Sequence, residues 1–169
     1  MKRFGVLLLL VVVAVSGCSL LDLFARNDPY RNVRITTDTF DGVIFNSRNT
    51  ERTSVQFEFN DPIMDYWTPN EEQVLRLEAG LVDFLESEIA PDDFRYGFWD
   101  SLSEYRRQYF GIMFQEDETL IFANYFCDVG YGDWLKDHIM VIDGGECFFQ
   151  VLYDPWTDTF LQLRINGYA

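Results

Sequence analysis

The sequence predicts an α+β domain in which one long helix packs on an antiparallel sheet. Two patterns carry the expectation. Val74, Leu77, Leu81, Phe84, Leu85 and Ile89 recur at helical spacing and form one apolar stripe. After it, two pairs of strand-like runs, 105–115 with 119–127 and 147–153 with 159–165, flank turns of hairpin length. Strands, a helix and then a meander of strands is the order of an α+β fold. Sixteen Phe, nine Tyr and four Trp supply the bulk for a well-filled core.

In chain order, residues 31–37 and 42–45 read as a small hairpin turning through 38–41. Ser54 to Phe59 reads as a strand, because Val55, Phe57 and Phe59 alternate with Ser54, Gln56 and Glu58. Thr68-Pro69-Asn70-Glu71 then offers an N-cap, a proline at the first helical position and a glutamate at the third. Pro91 stops the helix. A polar, aromatic link (91–103) leads to Tyr105–Gln115 and Thr119–Cys127, joined through Glu116-Asp117-Glu118. Ile139–Ile142 reads as a short strand. Cys147–Tyr153 and Thr159–Ile165 close the sheet around Asp154-Pro155-Trp156-Thr157-Asp158. No repeat or second linker interrupts the chain, so residues 33–169 read as a single domain.

The first 32 residues are of another kind. Met1-Lys2-Arg3, an apolar run from Phe4 to Val15 and small residues after it form an export signal. Val15-Ser16-Gly17-Cys18 resembles the bacterial lipobox, in which signal peptidase II cleaves before the cysteine and its sulfur carries diacylglycerol. The resemblance implies a signal peptide over 1–17, a palmitate-type lipid anchor at Cys18 and a tether over 18–32, broken at Asn27-Asp28-Pro29. The partner so implied is the membrane itself, and the location is the cell envelope, facing away from the cytoplasm. Ser19 after the cysteine is similar to the outer-membrane class of lipoproteins in envelopes with two membranes. Two readings compete with the lipobox. Residues 4–21 carry no charge and just reach the ~18 residues a spanning helix needs; a plain secretory signal cut elsewhere is the other.

Residues 1–17 hold Lys2, Arg3 and no acid, so their removal takes the formal charge from −15 to −17. Such a surface repels nucleic acid, whose binding rests on cations neutralising phosphates. The acidity serves solubility, or recruits a cationic partner.

Cys127 and Cys147 remain after lipidation. An exported compartment permits a disulfide between them; the open alternative is two small buried hydrophobes on neighbouring strands. No CxxC exists and His138 is the sole histidine, which excludes a zinc knuckle. With no Gly-x-Ser-x-Gly around a serine, His138 reads as a solvated loop residue beside Asp133 and Asp137. Glu71-Glu72, Asp92-Asp93 and Glu116-Asp117-Glu118 are adjacent acids and do not face each other across a substrate. Asp128-Val129-Gly130-Tyr131-Gly132-Asp133 lacks calcium-loop spacing, and Asp143-Gly144-Gly145 reads as a turn. Arg106 and Arg107 point to opposite faces of their strand, one toward a carboxylate at the core edge and one toward solvent. No cofactor motif is found.

Element order over 54–165 is similar to the cystatin-like fold, and Pro155-Trp156 resembles the Pro-Trp turn of cystatin inhibitors; the turn at Gln115–Glu118 lacks their Gln-x-Val-x-Gly. The segments 105–109, 124–127, 143–145 and 166–169 resemble small exported bacterial proteins of unassigned function. The function expected is that of a lipid-anchored, non-enzymatic interaction or structural module. The alternative is a small ligand binder or enzyme using a concave sheet face under the helix, with His138 or Arg106 converging on carboxylates.

Overall fold

The structure, a computed structural model, describes residues 30–115, 118–127, 130 and 132–168. The lipobox, Cys18 and the tether up to residue 29 lie outside the described residues, as do Glu116, Asp117, Asp128, Val129 and Tyr131.

A short hairpin, β1 (Val33–Thr36) and β2 (Asp41–Ile44), is followed by a single helical turn α1 (Ser47–Thr50) and a 3-10 turn (Ser54–Glu58). Then come β3 (Asp65–Trp67), the 18-residue helix α2 (Glu71–Glu88) and a second 3-10 segment (Phe98–Glu104). Strands β4 (Arg106–Met113), β5 (Thr119–Phe126), β6 (Phe148–Asp154) and β7 (Thr159–Ile165) complete the chain, with a 3-10 turn at Gly145–Cys147 before β6. Among the described residues, seven strands form one sheet in the order β1-β2-β4-β5-β6-β7, and β3 also pairs with β4. The fold is α+β with a mostly antiparallel sheet. The exception is β2, which runs parallel to Arg106–Tyr109 of β4, while β3 pairs antiparallel with Gly111–Met113. Both lie along the edge of β4 not taken by β5, and together they cover most of its length.

That shared edge explains one departure from expectation. Residues 54–58 alternate like a strand but form a 3-10 turn, in which Val55 is buried and Phe57 is exposed. The edge of β4 has little length left to pair with, and the Thr53 hydroxyl accepts from the Val55 N–H and starts a turn instead. The helix start also differs. Its N-cap is Asn70, whose side chain accepts from the Gln73 N–H (2.9 Å) while the Gln73 side chain accepts from the Asn70 N–H (2.9 Å). Thr68 instead accepts from the Ser47 N–H and ties α1 to the helix entry. Ile139–Ile142 forms no strand. Side-chain amides take up the backbone of Ile139: its N–H donates to Gln108 and its carbonyl accepts from Asn124.

Every residue of β4 and β5 between their ends is buried, so the middle of the sheet is covered on both faces. On one face Val74, Leu77, Leu81 and Leu85 of α2 join Tyr109, Ile121, Tyr125, Phe149 and Tyr153 in the larger core cluster. On the other, Val55, Phe59, Ile63, Trp134 and Leu135 close over Phe110, Ile112, Leu120 and Phe122. Aromatic side chains fill much of this core: Tyr109, Tyr125, Tyr153, Phe45, Phe110, Phe122, Phe126 and Phe149 are all fully buried, whereas Phe57, Phe94 and Trp156 stand exposed. The end of the 18–32 segment is already fastened to the domain, since Asn32 donates to the Leu135 carbonyl and accepts from the Asn46 N–H.

Candidate functional site

The face of the sheet away from α2 carries a row of polar side chains across four strands. Register places Gln108 opposite Asn124, Asn124 opposite Gln150, and Gln150 opposite Arg164. Strand alternation then turns all four side chains to one face. The side chains connect in the same order. Asn124 Nδ2 donates to Gln108 Oε1 (3.2 Å), Gln150 Nε2 to Asn124 Oδ1 (3.3 Å), and Arg164 Nε to Gln150 Oε1 (2.9 Å). Gln108, Asn124 and Gln150 are buried, so each contact replaces lost water.

Both ends of this ladder hold loops. Gln108 Nε2 donates to the carbonyls of Trp134 and Asp137 (both 2.7 Å), which clamps the residues before His138 onto the sheet. Arg164 donates to the Glu58 carbonyl (2.9 Å) and forms a close ion pair with the Glu58 carboxylate. Glu58 Oε1 lies 3.4 Å from His138 Nε2, and Ser54 Oγ lies 3.0 Å from His138 Nδ1. A serine, an imidazole, a carboxylate and a guanidinium thus adjoin one another in that order. The imidazole is fully enclosed, packed edge-on by Phe110 and Phe122. Burial first, and then the positive charge of Arg164, holds its pKa down to about 4. Nε2 has no hydrogen-bond partner: Glu58 is near it but not aligned.

Two openings flank this cluster. A cleft of about 1140 Å³ lies between residues 58–64 and the middle of β6 and β7; Glu58 and Arg164 sit in its wall beside Phe59, Met64, Leu152 and Leu161. A smaller hollow of about 490 Å³ opens on the other side, where Ser54 and His138 are rimmed by Asn49, Arg52 and Lys136.

Beneath α2 the structure places a second polar cluster in the core. Arg107 Nε donates to Glu78 Oε2 (3.0 Å), and the hydroxyls of Tyr109 and Tyr125 both donate to Glu78 Oε1 (2.8 and 2.7 Å). The remaining Arg107 nitrogens reach the carbonyls of Tyr105 and Leu102. Burial, and then the Glu78 charge, pushes both tyrosine pKa values well above 10. Each of these donors has its acceptor, the arrangement of a structural ion pair.

The residues singled out in the sequence are scattered. Cys127 and Cys147 form a disulfide, and the Cys127 N–H donates to the Cys147 carbonyl. His138 is not a solvated loop residue: the ladder pins its neighbours and folds the ring inward. Arg107 takes the carboxylate, and Arg106 lies at the surface beside Asp41 and Trp134, away from His138. Glu71 and Glu72 occupy the first turn of α2, Asp93 pairs with Arg95, and Asp133 pairs with Lys136. Gly144 and Gly145 adopt positive φ in the turn before β6. Ser54, Glu58 and Arg164 had no sequence signal, because 84 and 106 residues separate the partners they meet. No protein-family model, curated protein or solved structure matches this chain.

Proposed function

We propose that this chain is a bacterial lipoprotein, cleaved before Cys18 and held by lipid at the outer face of a membrane, whose domain is a protein-interaction module. The binding role rests on the cleft between residues 58–64 and β6–β7. Its wall mixes apolar side chains with the Glu58–Arg164 pair, and Met64 and Leu161 stand exposed at its edge. The Cys127–Cys147 bridge supports the exported address, because such bonds persist in oxidising compartments. The acidic surface favours a cationic partner, and the lipid at Cys18 does the anchoring: two or more acyl chains suffice to hold a protein stably. Among the described residues no helix is long and apolar enough to cross a membrane.

The finer fold reading belongs to the same proposal. With β3 antiparallel to β4, and β4 to β7 a continuous antiparallel meander packed on α2, residues 65–165 support a cystatin-like arrangement. Its first strand is then Asp65–Trp67 rather than 54–59.

Two measurements on the protein as made in its cells test the proposal. The mass of the mature N-terminus is expected to be that of a lipidated Cys18; an unmodified residue 18 or an intact Met1 overturns the anchor. A photo-crosslinking residue at Leu161 or Met64 is expected to give a discrete adduct, whereas one at Leu75 on α2 gives none. Equal adducts at all three sites, or none at any, overturn the cleft as the docking site.

A further inference from the structure

The hollow on the Ser54 side of His138 opens apart from the docking cleft, and Glu58, which faces His138, also stands in the wall of that cleft. Ser54 opens the 3-10 turn directly after Thr53 and is only half-buried at the wall of the hollow. Its hydroxyl oxygen is 3.0 Å from Nδ1 of a fully enclosed imidazole. The Glu58 carboxylate, 3.4 Å from Nε2, favours the tautomer that carries its proton on Nε2, which leaves Nδ1 with a lone pair for the Ser54 hydroxyl. Arg164 grips Glu58 from the far side, and Gln150 grips Arg164, so the carboxylate is fixed by the sheet itself.

From this geometry we infer that Ser54 is a nucleophile for acyl transfer, that His138 is its general base and that Glu58 positions the imidazole, with carboxylic esters as substrates. The rim is polar and of mixed charge: Arg52 and Asp137 stand there with Lys136, which is paired with Asp133, and Asn32 and Asn49 line the same wall. Ser54 Oγ attacks the ester carbonyl carbon while its proton passes to His138 Nδ1. The carbon–oxygen bond to the alcohol then breaks, and the alcohol leaves with that proton. Water attacks the acyl-serine in the same way: one of its protons passes through His138 to Ser54 Oγ as the acyl–oxygen bond breaks, and the carboxylic acid released gives its other proton to solvent. The balance closes with ester and water alone. The imidazole is neutral at pH 7, since burial and Arg164 hold its pKa at about 4. The negative charge of Glu58, held 3.4 Å from Nε2, stabilises the imidazolium as it forms.

The experiment uses the lipidated protein purified in detergent. It is treated with a fluorophosphonate probe, and in parallel with 4-nitrophenyl acetate. The expected result is a single covalent adduct mapped to Ser54 and hydrolysis of the acetate ester above the rate in buffer. Ser54→Ala removes the adduct and lowers the rate at least about a hundredfold, with the melting temperature of the variant recorded alongside. Glu58→Gln is expected to lower kcat with little change in KM. A folded wild-type protein that takes no probe at Ser54 overturns the inference, as does unchanged hydrolysis by Ser54→Ala. Should that variant fail to fold, the mapped adduct on the wild type decides the matter, because a merely structural serine–histidine contact does not react with a fluorophosphonate.

Discussion

The guanidinium of Arg107 on β4 and the carboxylate of Glu78 on α2 meet at 3.0 Å with both side chains almost wholly out of solvent. They join helix to sheet where the apolar stripe of α2 is interrupted by a charge facing inward. Two tyrosine hydroxyls and two backbone carbonyls complete the set. Such a pair is costly to break and nearly neutral to replace whole.

Glu78→Gln leaves the Arg107 charge buried and unbalanced. The expected loss is about 3–5 kcal/mol of unfolding free energy. The double variant Glu78→Leu, Arg107→Met is expected to lose less than Glu78→Gln does, because no charge is then stranded. Urea unfolding of the wild type and both variants measures these losses. A double variant less stable than Glu78→Gln would show that no stranded charge was at stake.

Asn124→Ala cuts the ladder at its middle rung. The Ile139 carbonyl, Gln108 and Gln150 each lose a partner in a buried setting, at roughly 1–3 kcal/mol for a stranded polar group. Amide exchange is expected to quicken over residues 134–139, which the ladder clamps, and to change little in α2. Uniform quickening in both would mean the ladder stabilises the fold without holding the loop.

His138 makes stability depend on pH with a definite sign. The unfolded chain takes up this proton near pH 6.5 and the folded chain only at about 4. Stability from the neutral ring is therefore complete above about pH 6.5, declines as the pH falls and is lost by about pH 4. At about 1.4 kcal/mol per pKa unit the loss is roughly 3 kcal/mol. Urea midpoints at about pH 7.5, 5.5 and 4.5 bracket that window, and His138→Gln is expected to flatten that part of the curve. An unchanged slope in the variant would assign the acid sensitivity to other groups.

The Cys127–Cys147 bridge spans a sequence separation of 20 residues. Reduction, or Cys147→Ser, is expected to cost about 3 kcal/mol on the chain-entropy account of a loop this size. Mass analysis of the native protein after alkylation without reductant should find neither thiol labelled. Two labelled thiols would remove the bridge.

Local pattern made much of this molecule legible. The stripe from Val74 to Leu85 specified α2 and its buried face, because a 3.6-residue period is readable without knowing what the helix meets. The β4–β5 and β6–β7 runs were legible from the short turns they flank, and the bounds of β7 agree to the residue. Where competition for a partner decided the structure, the sequence misled. Residues 54–58 alternate as a strand should, yet the β4 edge is shared between β2 and β3. Thr68 and Asn70 both suit an N-cap, and only the pull of Ser47 on Thr68 separates them.

The candidate site lay beyond local reading altogether. Gln108, Asn124, Gln150 and Arg164 are polar residues on four neighbouring strands, residue types that normally mark a solvent-facing side. Loops cover that side, so the same residues become a buried ladder. By itself the sequence determined the elements with a strong period and an acidic, aromatic-rich composition. Only the tertiary structure decided which polar residues are buried, which acid faces His138, and that Ser54 stands beside it. The physical reason is range. Periodicity and capping act over a few residues, whereas a hydrogen bond between side chains 84 or 106 positions apart exists only after the sheet has brought them together.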